Sequence, residues 1–127
     1  MNVRTAATAL ALNRMAFGAR FVLQPEEAGR SWIGKAAASR PSTKVFAQAL
    51  GARDLALGIG ALVALRRGDD ESARAWMAGH TLADGTDLAA TLAARDALPT
   101  GPFLFAVAMA SASTAIGAWS LASLGRD

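Results

Sequence analysis

His80, Asp84, Asp87 and Thr91 follow one another at i, i+4, i+7 and i+11, the spacing that puts side chains on one face of an α-helix. One imidazole and two carboxylates on such a stripe can bind a cation, pass protons, or pair with guanidinium groups. The opposite charges are at hand. Arg14, Arg20 and Arg53 lie in neighbouring apolar stretches, and Asp54 adds a third carboxylate. Arg53 and Asp54 occupy the middle of one stretch, while Asn13, Phe17 and Arg20 share a face of another. We expect Arg53 and Arg20 to meet Asp84 and Asp87 in a buried network, because a guanidinium stays charged and can grip a carboxylate through two hydrogen bonds. The candidates for ligand binding or proton handling are therefore Arg20, Arg53, Asp54, His80, Asp84 and Asp87.

Other chemistries find less support in the residues. The chain has one histidine and no cysteine, and the arginines compete for the carboxylates, so no metal and no cofactor is expected. Ser111 and Ser113 sit in an uncharged run with no nucleophile motif around them. Gly58 and Gly60 form a G-x-G inside a helix pattern, lacking the third glycine and the strand of a dinucleotide fingerprint. A net charge of +3 without a basic face or stacking aromatics gives no footing for nucleic acid. A buried aspartate could act as acid or base, but no substrate signature accompanies it, and the reading leans away from an enzyme.

The elements that must position these residues are apolar and long. The chain has 127 residues, 53% of them hydrophobic and 18% charged, and residues 97–125 contain no charge at all. We read a single domain over 1–127 with four helical spans at about 4–24, 42–65, 70–95 and 102–124, each near the roughly 20 residues that a bilayer core requires. Ser42 is placed to cap the second span after Pro41, and Arg66, Arg67 and Gly68 end it. Asp70 and Glu71 suit the start of the third, and Arg95 its end. Between the first two spans, residues 26–33 read as a short interfacial amphipathic helix. Trp32, Trp76 and Trp119 fall near helix ends, as indoles at headgroup level would.

The expected fold is all-α: a four-helix transmembrane bundle of antiparallel up-down topology. Arg4 before the apolar residues 5–12 has the layout of a signal peptide, but Asn13 and Arg14 cut that run short and favour a retained helix. The Lys and Arg residues divide five against five between the two sides, which leaves orientation open. Small residues recur every four positions at Ala52, Ala56, Gly60 and Ala64, and at Ala106, Ala110, Thr114, Ala118 and Ala122. Both stripes are expected to be helix contacts, since close backbone approach drives helix association in lipid. A soluble bundle would need the uncharged last helix wrapped by three others that offer little polar surface.

The segment Gly51, Ala52, Arg53, Asp54 with Gly58, followed by Ala83, Asp84, Gly85, Thr86 and Asp87 and an apolar last helix, resembles a family of small uncharacterised four-helix bacterial membrane proteins. More loosely, residues 10–124 are similar in size and layout to DoxX-like membrane proteins. The resemblance implies the fold and a multi-pass place in the bacterial inner membrane, and no activity. Two functions follow as expectations. Either the polar centre binds or transports a small-molecule ligand or protons, or the bundle is an accessory subunit docking on a larger membrane partner or on copies of itself within the lipid bilayer.

Overall fold

The computed structural model describes residues 2–126. Among these there are helices and no strands. α1 runs Val3–Leu23, α2 Pro25–Ile33, α3 Lys35–Ala38, α4 Pro41–Arg67, α5 Asp70–Ala93 and α6 Thr100–Ser123, with a 3-10 turn at Arg95–Ala97 before α6. The four long helices match the expected segments within about two residues at most ends. The short helix at 26–33 gains Pro25, and α3 is an additional turn.

The boundaries follow local chemistry. Asn2 caps α1, its side chain accepting from the Thr5 nitrogen, and Asp69 caps α5 by accepting from Ser72 at 3.0 Å. Proline stands in the first turn of both α2 and α4, where its missing N–H is not needed. Ser42 therefore does not cap α4. The helix starts one residue earlier, from Arg40 and Pro41, with no side-chain cap. Gly68 ends α4 with φ 70°, a left-handed conformation that favours glycine. α5 stops at Ala93, so Arg95 lies beyond it, paired with exposed Asp96.

Each long helix runs against its sequence neighbour, and α1 returns beside α6 to close a ring. The packing is most extensive between α1 and α4 and between α5 and α6. Glycine makes the first of these possible. A Cβ on Gly18 would come within 2.7 Å of the Gly51 carbonyl oxygen, and one on Gly58 within 2.8 Å of the Ala11 carbonyl. Here the two backbones nearly touch.

These positions correct the expected stripe on α4. Ala52 and Ala56 face outward, Gly60 packs on Trp76 and Ala64 is buried as expected, and the rest of the buried line is Ala47, Gly51, Asp54, Gly58, Ala61 and Leu65. On α6, Ala106 and Ala110 are buried as expected, but Ala118 and Ala122 are exposed and Gly117 and Ser120 are buried instead. A helix turns once every 3.6 residues, so a strict four-residue stripe drifts around the barrel, while a mixture of three- and four-residue steps stays on one face.

Large apolar side chains cover the outside. Phe46, Leu82, Leu104 and Phe105 are exposed, and Trp76 and Trp119 partly so. The inside holds Ala7, Ala11, Ala61, Ala73 and Met77 together with Arg14, Asp54, His80 and Asp84. The four long helices carry almost no amphipathic bias, in contrast to α2, whose polar and apolar faces are well separated. α4 and α6 are each long and apolar enough to cross a membrane.

Candidate functional site

The buried charges meet at mid-height of the bundle. Arg14 of α1 is 5% exposed and reaches across to two helices. Its Nη1 donates to Asp54 Oδ1 of α4 at 2.7 Å, and its Nη2 donates to Asp84 Oδ1 of α5. Arg53 completes the cluster: Nη1 and Nη2 donate to the two Asp87 oxygens at 3.1 and 2.7 Å, and Nε and Nη2 donate to Asp54 Oδ1 at 3.0 and 2.9 Å. Asp54 thus sits between both arginines. The fork-to-fork pairing of Arg53 with Asp87 is the geometry in which arginine discriminates most strongly.

Arg53 joins the buried network as expected, through Asp87, whereas Arg20 is exposed and makes no ion pair among the described residues. Arg14 takes its place. The face of α1 is also different from the one expected: Ala7, Leu10, Arg14, Gly18 and Phe21 turn inward, and Asn13 and Arg20 do not. Gly18 sets this rotation, because its side of α1 is the one that can lie against Gly51. Arg14 is four residues before Gly18, one turn along the same face. That spacing was the signal available in the sequence.

His80 is fully buried but stands apart from the ion pairs. Its Nε2 donates to the Leu57 carbonyl at 3.1 Å, and Nδ1 has no partner. Thr91 links a different pair of elements. Its hydroxyl accepts from Trp32 Nε1 at 2.9 Å and donates to the Asp87 carbonyl at 2.7 Å. Trp32 also packs on Phe17 and Phe21, edge-on to the latter with centroids 6.2 Å apart. It is therefore a packing residue that fixes α2 to α5 rather than a free headgroup anchor.

Beside the cluster lies a crevice of about 50 Å³, room for a few water molecules, since one needs about 10–15 Å³ on this measure. Arg14, Asp54, Asp84 and Asp87 form its polar floor, and Phe17, Trp32 and Phe105 contribute aromatic wall. It lies at the seam between α1 and α6, where Asn13, Phe105 and Met109 are exposed. The seam packs less extensively than the α1–α4 side. Three carboxylates face two guanidiniums here, and Asp84 Oδ2 is buried without a hydrogen-bond partner. Among the described residues, no three His, Asp or Glu side chains are placed to hold a metal ion.

Over residues 11–120 the chain matches a family described as a domain of unknown function, DUF4267. The chain belongs to the DUF4267 family. The matched stretch contains Arg14, Arg53, Asp54, Asp84 and Asp87, so the whole ion cluster lies within the family domain. No curated protein and no solved structure matches the chain. The family match carries neither the looser DoxX-like likeness nor a bacterial source.

Proposed function

We propose that all four long helices cross the membrane and that the carboxylate-rich centre is a protonatable site at which the protein binds or carries a small ligand or protons. The supports for the membrane arrangement are an apolar exterior around an ionised interior and the lack of amphipathic bias in the long helices. Exposed Thr86 is also satisfied within its own helix, donating to the Leu82 carbonyl at 2.8 Å, as lipid, with no hydrogen bonds to offer, requires. α1 and α5 carry too many charges to cross alone, but Arg4 and Arg14 of α1 meet Asp70 and Asp84 of α5. Short α2, amphipathic and rich in glutamate at its start, suits the interface.

The observation that carries the functional reading is the charge count. Asp54, Asp84 and Asp87 outnumber Arg14 and Arg53 by one, and His80 does not make up the difference, because a proton on Nδ1 would find no acceptor. An uncompensated charge at membrane depth, with room beside it for only a few waters, is costly to keep. A proton or a cationic ligand must meet it, and a site that alternates between the two is a binding or exchange site. The accessory-subunit reading draws on the same apolar exterior, which acyl chains cover equally well, so no observation favours it.

Two measurements test this. The chain has no cysteine, so single cysteines introduced at Ser39 and at exposed Arg67 report cleanly on topology. A membrane-impermeant maleimide should reach them from opposite faces of sealed vesicles; labelling from the same face would sink the four-span arrangement. Infrared spectra of the purified protein should contain a carboxylic-acid band that shifts in heavy water and disappears in Asp84→Asn. Wild-type spectra with ionised carboxylates alone, and no cation bound, would overturn the protonatable site.

A further inference from the structure

Four features of the crevice bear on what it can hold. Its floor has an excess carboxylate, with Asp84 only 7% exposed and its Oδ2 unpartnered, so an anionic group is repelled and a cation is attracted. Phe17, Trp32 and Phe105 line the wall, and aromatic faces attract cations that have shed part of their water. The volume of about 50 Å³ admits a head group and not a whole amphiphile. The remaining part of any larger ligand must leave through the side that is open. That side is the α1–α6 seam, whose rim residues Phe105 and Met109 are 48% and 38% exposed on the apolar outer surface.

We propose that the crevice takes the ammonium head of a single-chain aliphatic amine, admitted sideways from the lipid between α1 and α6 with its alkyl tail left outside along α6. This rests on the reading of the centre as a ligand-binding site in a four-span membrane protein. A primary ammonium is compact and has three donors, which suits a crevice floor on which three carboxylates face two guanidiniums. Binding is an exchange: the alkylammonium enters, the proton on the carboxylate cluster leaves to solvent, and the net charge of the site is unchanged. The groups that bear on that proton are Arg14 on α1, Arg53 and Asp54 on α4, and His80, Asp84 and Asp87 on α5; α2 and α6 present only neutral residues to the crevice, among them Trp32, Phe105 and Ser113.

Calorimetry on the purified protein in a neutral maltoside detergent tests the idea with decylammonium, methylammonium and decyl sulfate as probes. Decylammonium should bind saturably and release a proton, and bind about tenfold or more tightly than methylammonium, since even a few buried methylenes at about 0.8 kcal/mol each suffice. Decyl sulfate should not compete. Ser113→Leu, which fills the seam without touching the ion cluster, should abolish decylammonium binding while the infrared carboxyl band persists, and Asp84→Asn should abolish binding and band together. Equal binding of decyl sulfate would reduce the effect to adsorption on an apolar surface and overturn the proposal. Methylammonium binding as tightly as decylammonium would overturn the lipid-side entry, the ligand site standing. If neither amine binds while the carboxyl band remains, the amine is wrong and the protonatable centre survives.

Discussion

α1 forms two seams, and they are made of opposite materials. Toward α4 it presents Gly18, which lies against Gly51, and Ala11, which lies against Gly58, and between them Arg14 ties the helix to Asp54. Toward α6 it presents Leu10 and Phe17 to Ala106, Ala110 and Met109 across a crevice, with no side-chain hydrogen bond among the described residues linking the two helices. A seam closed by backbone contact and buried ion pairs cannot open without exposing charge. One closed by side-chain packing can part and close at small cost. The difference separates the part of the molecule that sets its shape from the part that can admit something.

The largest test of this contrast removes the arginine that holds the tight seam. Arg14→Met leaves Asp54 and Asp84 buried with one guanidinium lost, and breaking a buried pair in this way costs about 3–5 kcal/mol. Unfolding in mixed detergent micelles should show a loss of that order, and a loss below about 1 kcal/mol would mean that the cluster is wetter than its burial suggests. Next in size is a matched pair of insertions. Gly58→Leu forces the α1 and α4 backbones apart and should cost about 1–3 kcal/mol, the usual range for overpacking. Ser113→Leu, on the crevice side, should stay within about 0.5 kcal/mol of wild type. Equal losses at the two positions would erase the distinction between the seams.

The smallest effect lies outside both, where α2 joins α4. Lys44 and then Arg30 hydrogen-bond Glu26, at 2.9 and 3.0 Å, and hold its carboxyl below the usual range. Because the folded state favours the ionised form, this contact helps folding above the ordinary glutamate value of about 4.3 and loses its effect as the pH falls through the lowered one. The group is solvent-exposed, so a slight increase in α2 mobility on acidification is expected, and Glu26→Gln should make that response flat. Hydrogen exchange in α2 at two pH values measures it.

Much of the architecture could be read from the residues. Pro25, Pro41 and Gly68 mark ends because of what their backbones permit, and Asp70 with Glu71 mark the start of α5 because of the helix dipole. The uncharged run to Gly125 identified α6. The set of groups that must be buried was also legible, since Asp54, Asp84 and Asp87 interrupt apolar stretches. Their partners were less so. Arg14 and Arg20 are six residues apart on one helix, and polarity alone does not say which of them turns inward.

The sequence by itself determined that the protein is helical, where the helices begin and end, and that carboxylates and guanidiniums must share its interior, because these follow from short-range backbone chemistry and from the cost of burying charge. The tertiary structure decided the rotation of each helix and hence the pairing. That choice depends on where two backbones can come closest, at Gly18, Gly51 and Gly58, and it joins residues more than 30 positions apart in the chain. The same rotation turned Arg20 outward, brought Arg14 between Asp54 and Asp84, and left the third carboxylate without a matching charge beside a loosely closed seam.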